Sequence, residues 1–261
     1  MEVWYKSSGK SDGSAVIFLH GLFASSKNWQ SVVKRTDHSF RLLNVDLPNH
    51  GNSPHIADVS YAKAMTALDW LYEKENLSQA TLVGHSMGGK LAMLYALNKG
   101  HRVTSLIIED IAPRPYEVRF SHILQAMKDL DLSACTKRKE VDDLMKEYIP
   151  DAIMRMFVMT NLVYREGAYR WRINVPALYG SASHLVGFPC EEGSYEGPAL
   201  FINGENSDYI SKGDDAVVRR FFPQAHIKTI SDVGHWVHAE AHEEFSALLN
   251  EFLRNPMAWP N

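Results

Sequence analysis

A tight turn between an apolar run and a helical stretch constrains the fold most strongly. Residues 84–88 read Gly-His-Ser-Met-Gly. They follow the apolar run Ala80–Val83, and helical spacing of apolar residues extends over Met87–Asn98. The pattern G-x-S-x-G is common by chance, but this position predicts a strand, a strained turn at Ser86 and a helix. Small residues on both sides suit such a crowded turn.

Ser86 is the candidate nucleophile. The turn would expose its hydroxyl at the C-terminal edge of a sheet, with helix N–H groups directed at a reacting carbonyl oxygen. Because a serine hydroxyl is a weak nucleophile, it needs a nearby base. His235 lies in the run Val233–Trp236, after the last predicted strand, and imidazole titrates near neutral pH. We therefore predict His235 as the base.

Two other interpretations of these residues stay open. The turn could be a glycine-rich helix start in which Ser86 is only a capping residue. His235, His238 and His242 could also suggest a metal cluster, but no carboxylate or cysteine completes the set at a familiar ligand spacing. We expect neither a metal site nor an organic cofactor.

Apolar runs alternate with helical patterns along most of the chain. The predicted strands are Ala15–Leu19, Leu42–Leu47, Ala80–Val83, Thr104–Ile108, Ala199–Ile202 and Ile227–Ile230. The predicted helices are Trp29–Lys34, Tyr61–Lys74, Met87–Asn98, Asp214–Phe221 and Glu240–Leu253. Continuous apolar character indicates strands buried on both faces, as in a parallel sheet. The alternation predicts an α/β fold with helices on both faces of a mostly parallel sheet.

Residues 113–198 interrupt this alternation. Tyr116–Met127 and Ile153–Asn161 have helical spacing, and prolines stand at both ends of the segment. We expect a helical cap over 113–198, inserted between two strands of a core domain formed by 1–112 and 199–261.

Side chains of the predicted cap suggest what it could contact. Its methionines suit an apolar lining for an acyl chain, and its arginines could meet a substrate carboxylate or phosphate. The methionines are Met127, Met145, Met154, Met156 and Met159, and the arginines are Arg114, Arg155, Arg165, Arg170 and Arg172. Packing within the cap and exposure to solvent are the alternatives. Lys90, one helical turn beyond Ser86, is expected to face away from the pocket.

Composition limits the classes of partner. The formal net charge of the 261 residues is −4, and no stripe of lysine and arginine is present, so we expect no nucleic-acid partner. No apolar run reaches the ~20 residues that a membrane span needs. Two cysteines and the lack of a signal-like N-terminus favour a reducing, cytoplasmic location. We expect a small-molecule substrate, and the sequence makes no prediction of oligomeric state.

Four segments together resemble the α/β-hydrolase superfamily. They are His20–Phe23, Asp46–Ser53, Gly84–Lys90 and Gly234–Glu240. Together with Asp110–Pro113, their amino-acid sequences are most similar to those of the bacterial YbfF-type esterases. The resemblance implies a carboxylesterase acting on small or short-chain acyl esters, or on acyl thioesters, through an acyl-Ser86 intermediate.

The same fold implies an oxyanion hole made by two backbone N–H groups. One follows the first core strand and the other belongs to the residue after the nucleophile. These are the N–H groups of Leu22 and Met87, with Phe23 as the alternative to Leu22. His20 is expected to hydrogen-bond the loop rather than carry a proton.

The acid that orients His235 has two candidates. The usual position lies three residues after Gly204, where this chain has Ser207 and places Asp208 one residue later. Asp110 follows the earlier strand Thr104–Ile108. YbfF-type proteins are similar in having the acid after the earlier strand and a serine at the later position. We favour Asp110, with Ser207 hydrogen-bonding in the His–Asp pair and Asp208 as the alternative acid.

Two other functions remain open at this point. The same triad could cleave a carbon–carbon bond as a hydrolase or lyase, which a polar cap pocket with convergent arginines would favour. The chain could instead be a ligand-binding receptor on the hydrolase fold, because fold does not fix function.

Overall fold

The computed structural model describes residues 1–259, and its centre is a seven-stranded sheet. The strands of this sheet are β1 (Tyr5–Gly9), β2 (Ala15–Leu19), β3 (Arg41–Val45), β4 (Ala80–His85), β5 (Val103–Glu109), β8 (Ala199–Gly204) and β9 (Ala225–Ile230). Their order is β1-β3-β2-β4-β5-β8-β9. Only β1 runs antiparallel to its neighbour, so the sheet is mostly parallel, as predicted.

Helices cover both faces of the sheet. Those of the core are α1 (Gln30–Arg35), α2 (Tyr61–Lys74), α3 (Met87–Lys99), α9 (Asp215–Phe221), α10 (Val237–Glu240) and α11 (His242–Arg254). Apolar side chains of α2, α3 and α9 pack on one face, and those of α1, α10 and α11 pack on the other.

Strand β2 shows why the sheet has two buried faces. All five of its residues, Ala-Val-Ile-Phe-Leu, are buried. Ile17 and Leu19 join the cluster with α2 and α3, whereas Val16 and Phe18 join the cluster with α1 and α11. Because successive side chains of a strand point to opposite faces, a continuous apolar run is required here.

The segment 113–198 lies between β5 and β8, which are neighbours in the sheet. It contains α4 (Ser121–Asp129), α5 (Arg138–Met145), α6 (Ala152–Met159), α7 (Val175–Gly180), α8 (Ala182–Val186) and a hairpin of β6 (Leu162–Arg165) and β7 (Ala168–Trp171). Its apolar residues form a third cluster, which the core residue Phe23 joins. The division of the chain into two domains stays a prediction.

The predicted fold class is confirmed, while several local elements differ. β2 and α2 have the predicted bounds, and the other predicted core elements differ by one or two residues at an end. The edge strand β1 was not predicted, since only half-buried and exposed residues compose it. The β6–β7 hairpin was also not predicted, because a short and largely exposed pair of strands leaves no apolar run.

Candidate active site

Ser86 lies on a strained turn between β4 and α3. Its φ of 50° and ψ of −115° are unusual for a residue with a side chain. The Ser86 N–H donates to the Glu109 carbonyl at 3.1 Å, which holds the turn against the end of β5. A Cβ atom on Gly88 would lie only 2.3 Å from the Leu19 carbonyl oxygen, so a larger residue would push the turn away from β2.

The loop His20–Phe23 packs directly on this turn. A Cβ atom on Gly21 would lie 3.4 Å from the Ser86 Cβ. The two ring nitrogens of His20 hold the loop: Nδ1 donates to the Gly21 carbonyl at 2.8 Å, and Nε2 accepts from the Leu47 N–H at 2.9 Å. His20 is buried, and burial lowers its pKa. These bonds match the structural role expected of a neutral His20.

Asp110 and His235 form a hydrogen-bonded pair at the C-terminal edge of the sheet. The His235 Nδ1 lies 2.6 Å from the Asp110 Oδ2. The Asp110 side chain is fully buried, and the Gly204 N–H donates to its other oxygen at 3.2 Å. Its own N–H donates to the Ile202 carbonyl at 2.9 Å. The Gly204 N–H at the end of β8 therefore holds the carboxylate, and the Ile202 carbonyl of the same strand holds the Asp110 backbone.

Ser207 and Asp208, which follow β8 and were both considered in the sequence analysis, have different surroundings. The Ser207 hydroxyl donates to the same Asp110 oxygen that His235 contacts. Asp208 instead forms an exposed ion pair with Arg119, and 65% of its side-chain surface is accessible. The structure thus brings together His235, Asp110 and Ser207 and leaves Asp208 at the surface.

Aromatic and histidine rings hold His235 from its other sides. The Tyr209 ring stacks on His235 with centroids 4.0 Å apart. The His85 Nε2 lies 3.0 Å from the His235 carbonyl oxygen. Burial, more than any other cause, sets the pKa of His85 well below its usual value. The neutral His85 ring can therefore donate one N–H to that carbonyl.

A second buried acid–histidine pair lies beside the first and was missed by the sequence argument. The Glu109 carboxylate accepts from the backbone N–H of His238 at 2.7 Å and lies 2.8 Å from its Nδ1. The side-chain nitrogens of His85 and His238 and the Glu109 carboxylate come within 4.8 Å of one another. Ligand spacing was considered around His235, His238 and His242, and Glu109 instead approaches His238 from a strand distant in sequence.

A pocket of about 740 Å³, counted to its open mouth, contains Ser86 and His235. The lining is mainly apolar and comes from both the core and the segment 113–198. Its apolar residues include Leu22, Phe23, Met87, Ile111, Phe120, Ile123, Met154, Phe157, Leu185 and Trp236.

Lys90 also lines this pocket, so the expectation that it faces away was wrong. Side chains four residues apart on a helix share a face, and that spacing places Lys90 on the side of Ser86. Its ammonium donates to the carbonyls of Val186 and Gly187, at 2.9 Å for the latter, and lies over the Tyr116 ring. Burial, with the Arg114 charge second, lowers the pKa of Lys90 to about 7.

The other side chains singled out in the segment 113–198 mostly have structural surroundings. Of its five methionines, Met154 lines the pocket, Met156 is exposed, and the other three pack in the third cluster. Arg114 pairs with Asp214 and Arg155 with Asp142. The remaining arginines line a separate groove beside Gly51–Ser53. Within residues 1–259, the pocket lining therefore contains none of the five arginines.

Comparisons with known proteins identify the family of this chain. Residues 14–241 match the alpha/beta hydrolase fold family. The chain is 36% identical to the sn-1-specific diacylglycerol lipase ABHD11 of Danio rerio, over 94% of this chain and 80% of that protein. It is 32% identical to the esterase YbfF of Escherichia coli, over 94% of each chain.

A solved structure titled "Marine microorganism esterase" superposes with a TM-score of 0.92 at 34% identity, covering 96% of this chain and 99% of that one. The helices of residues 1–259 include none with both the length and the apolar character needed to cross a membrane. The expected resemblance to YbfF-type esterases is confirmed, and these relatives agree with an enzyme of the carboxylic ester hydrolase class. The chain therefore belongs to the alpha/beta hydrolase family.

Proposed function

We propose that this protein is a serine carboxylesterase that cleaves small or short-chain acyl esters through an acyl-Ser86 intermediate. One observation carries the proposal. Ser86, on a strained turn, opens into the same pocket as His235, and the Nδ1 of His235 lies 2.6 Å from the buried Asp110 carboxylate. A nucleophile, a base and an orienting acid are thus available at one end of the sheet.

The reaction would run in two halves. His235 takes the Ser86 hydroxyl proton while Oγ attacks the ester carbonyl carbon, and the protonated imidazole then gives that proton to the departing alcohol. A water molecule, deprotonated by His235, attacks the acyl-Ser86 carbonyl and releases the acid. The final proton transfer from His235 to Oγ regenerates the serine.

Asp110 is the proposed acid. A carboxylate at Nδ1 fixes the imidazole tautomer with Nε2 facing the serine, and it stabilises the imidazolium that forms. Ser207 would keep the same carboxylate oxygen oriented through its hydrogen bond. Asp208 does not fit this role, because its carboxylate is occupied by Arg119 at the protein surface.

The proposed oxyanion hole consists of the N–H groups of Leu22 and Met87. Met87 is the first residue of α3, so its N–H has no partner within the helix. Leu22 follows Gly21, which packs against the Ser86 turn. Leu22 and Met87 both line the pocket. N–H groups fixed in this way stabilise the negative oxygen of the tetrahedral intermediate without reorganising.

The pocket favours an ester over the alternative substrates. A carbon–carbon hydrolase acting on a charged diketone would need cationic groups to meet its substrate. The five arginines singled out in the segment 113–198 are paired or lie in another groove, and the Lys90 amine in the pocket is engaged by the carbonyls of Val186 and Gly187. An apolar lining suits an acyl group.

We further propose that 113–198 acts as a cap over this pocket and that the protein works on small molecules in the cytoplasm.

An ester with a longer acyl chain is a second candidate. A narrower apolar cavity beside the pocket shares Met87 and Leu185 with it and continues past Leu91 toward Tyr61. Relatives named sn-1-specific diacylglycerol lipase act, by that name, on diacylglycerols. If the two cavities join during binding, longer chains could extend between α2 and α3.

Hydrolysis of p-nitrophenyl esters with increasing acyl length, with Ser86→Ala as the control, tests both candidates. We expect activity that peaks at short chains and disappears in Ser86→Ala. A peak at eight or more carbons would favour the second candidate. Activity that survives in Ser86→Ala would contradict the proposed nucleophile.

A further inference from the structure

The oxyanion loop contains a residue in a conformation that it does not prefer. Phe23 has a φ of 62°, in the left-handed region that bulky residues avoid. The Ala24 N–H donates to the Gly21 carbonyl at 3.2 Å, so residues 21–24 form a hydrogen-bonded turn. A positive φ at the third position is typical of a type II turn, which usually has glycine there. Contacts from outside the turn must therefore hold Phe23.

Those contacts come from the segment 113–198. The side-chain amide of Asn161 donates to the Phe23 carbonyl at 2.7 Å, and Asn161 is only 3% exposed. The Phe23 ring meets the Phe120 ring edge-to-face, with centroids 6.0 Å apart. The carbonyl and the ring of Phe23 are thus both held by residues of the segment 113–198, which stabilises the turn in which φ of Phe23 is positive.

Asn161 is itself held in place between α6 and β6. Its N–H donates to the Val158 carbonyl at 3.0 Å, and its carbonyl accepts from the Arg172 N–H at 2.8 Å. Its side-chain amide makes a second bond, to the Val158 carbonyl, at 3.2 Å. The amide that holds Phe23 is therefore anchored to the end of a helix and to a β-hairpin.

The hydrogen bonds continue from Asn161 toward the proposed oxyanion donor. The peptide that carries the Phe23 carbonyl also carries the Ala24 N–H, which donates to the Gly21 carbonyl. The peptide of that carbonyl carries the Leu22 N–H. Hydrogen bonds in series orient and polarise one another, so an amide at one end influences the N–H at the other.

We propose that Asn161 is a positioning residue for the oxyanion hole, through which the segment 113–198 controls the reactivity of Ser86. The inference rests on the proposed function. Without this amide, the central peptide of the turn can rotate by about 150–170° to a type I turn, in which Phe23 would have a comfortable negative φ. That rotation would turn the Phe23 N–H, the alternative donor, and loosen the peptide that carries the Leu22 N–H.

The test compares Asn161→Ala and Asn161→Asp with Asn174→Ala. Asn174 also joins this segment to the core, but at a different loop. Its side-chain amide donates a hydrogen bond of 2.9 Å to the Asn49 side-chain oxygen. We expect kcat for a short ester to fall 10- to 100-fold in Asn161→Ala while KM stays within twofold. Asn161→Asp should lose more, because its carboxylate cannot donate and would also repel the Phe23 carbonyl oxygen that it faces. Asn174→Ala should keep the wild-type kcat.

Two further readouts separate positioning from folding. The final extent of Ser86 labelling by a fluorophosphonate counts folded sites, and kcat is divided by that count. The rate of labelling should fall in parallel with kcat, because phosphonylation also places negative charge on an oxygen in the hole. Binding of a trifluoromethyl ketone, which forms a tetrahedral adduct with serine, should weaken by a similar factor.

Three results would overturn the inference. They are a wild-type kcat per labelled site in both Asn161 variants, a change confined to KM, and an equal loss in Asn174→Ala. If the wild-type protein is labelled at Ser86 but hydrolyses no ester, the proposed substrate class is wrong, and the labelling rates still decide the role of Asn161. If Ser86 is not labelled at all, the proposed function and the inference both fail.

Discussion

The two sides of the pocket are built differently. On the core side, Ser86, Asp110, Ser207 and His235 each follow a strand of one sheet, and backbone hydrogen bonds between neighbouring strand ends fix their positions. On the other side, the pocket wall consists of side chains from short helices of the segment 113–198. The sheet edge supplies fixed chemistry, while the helical segment supplies an adaptable surface that can select the substrate.

Changes on the core side should therefore abolish catalysis, and the largest effect short of removing Ser86 or His235 is expected at Asp110. Asp110→Asn should lower kcat by roughly 10³–10⁴-fold, because the amide cannot hold the productive imidazole tautomer. Asp208→Asn is the matched control and should change kcat less than twofold. Steady-state kinetics on a short ester measure both, and equal, small losses would contradict the assignment of Asp110.

Ser207→Ala should have the next largest effect. It removes one hydrogen bond to the buried Asp110 carboxylate. Since a hydrogen bond to a charged group contributes ~1.5 kcal/mol, kcat should fall about tenfold with little change in KM. A variant with unchanged kcat would mean that the backbone N–H of Gly204 suffices to hold the carboxylate.

Side chains that line the pocket from the helical side, unlike the loop-positioning Asn161, should affect substrate choice more than rate when they are changed. Phe157 packs on Trp236 at the pocket wall, whereas Met156, its neighbour on α6, faces solvent. Phe157→Ala should move the optimal acyl length upward and reduce kcat/KM for acetyl esters by about three- to tenfold, the range expected for lost apolar contact. Met156→Ala should leave the chain-length profile unchanged. A shift of equal size in both variants would break the distinction between the two sides.

Lys90 connects the two sides, and the effect predicted for it is on stability rather than on catalysis. Its pKa is lowered to about 7 in the folded protein by burial, while the unfolded chain retains an ordinary lysine. Between pH 7 and 10 the unfolded state therefore binds more protons, and the free energy of unfolding should rise with pH. Lys90→Met removes this contribution. Urea unfolding at pH 6.5 to 9.5 gives the difference in free energy of unfolding between the wild type and Lys90→Met. This difference should shift in favour of the wild type as pH rises, and a difference that stays constant would contradict the prediction.

The same contrast governs what the sequence could predict. Strand β2 has the predicted bounds because a parallel strand buried on both faces requires a continuous apolar run. Asp110 and Ser207 could be named because they follow such strands, whose ends meet at one edge of the sheet. Geometry at the centre of the sheet is thus encoded in local patterns.

The remaining features depend on contacts between distant segments. The pairing of Glu109 with His238 joins residues far apart in sequence, although a polar residue ending an apolar strand beside Asp110 is a signal that could have drawn attention to it. Lys90 could have been placed correctly from its spacing to Ser86 alone. The β6–β7 hairpin and the contact of Asn161 with Phe23 have no local pattern, because tertiary packing decides them.

The most direct test of the central claim is to trap the covalent intermediate. The wild-type enzyme is mixed with a short p-nitrophenyl ester, quenched in acid within milliseconds and digested. The masses of the peptides are then measured by mass spectrometry. The account predicts a burst of p-nitrophenol and an acyl group on the peptide that contains Ser86. Ester turnover without any acylated Ser86 peptide, together with the same turnover in the Ser86→Ala variant, would contradict the account.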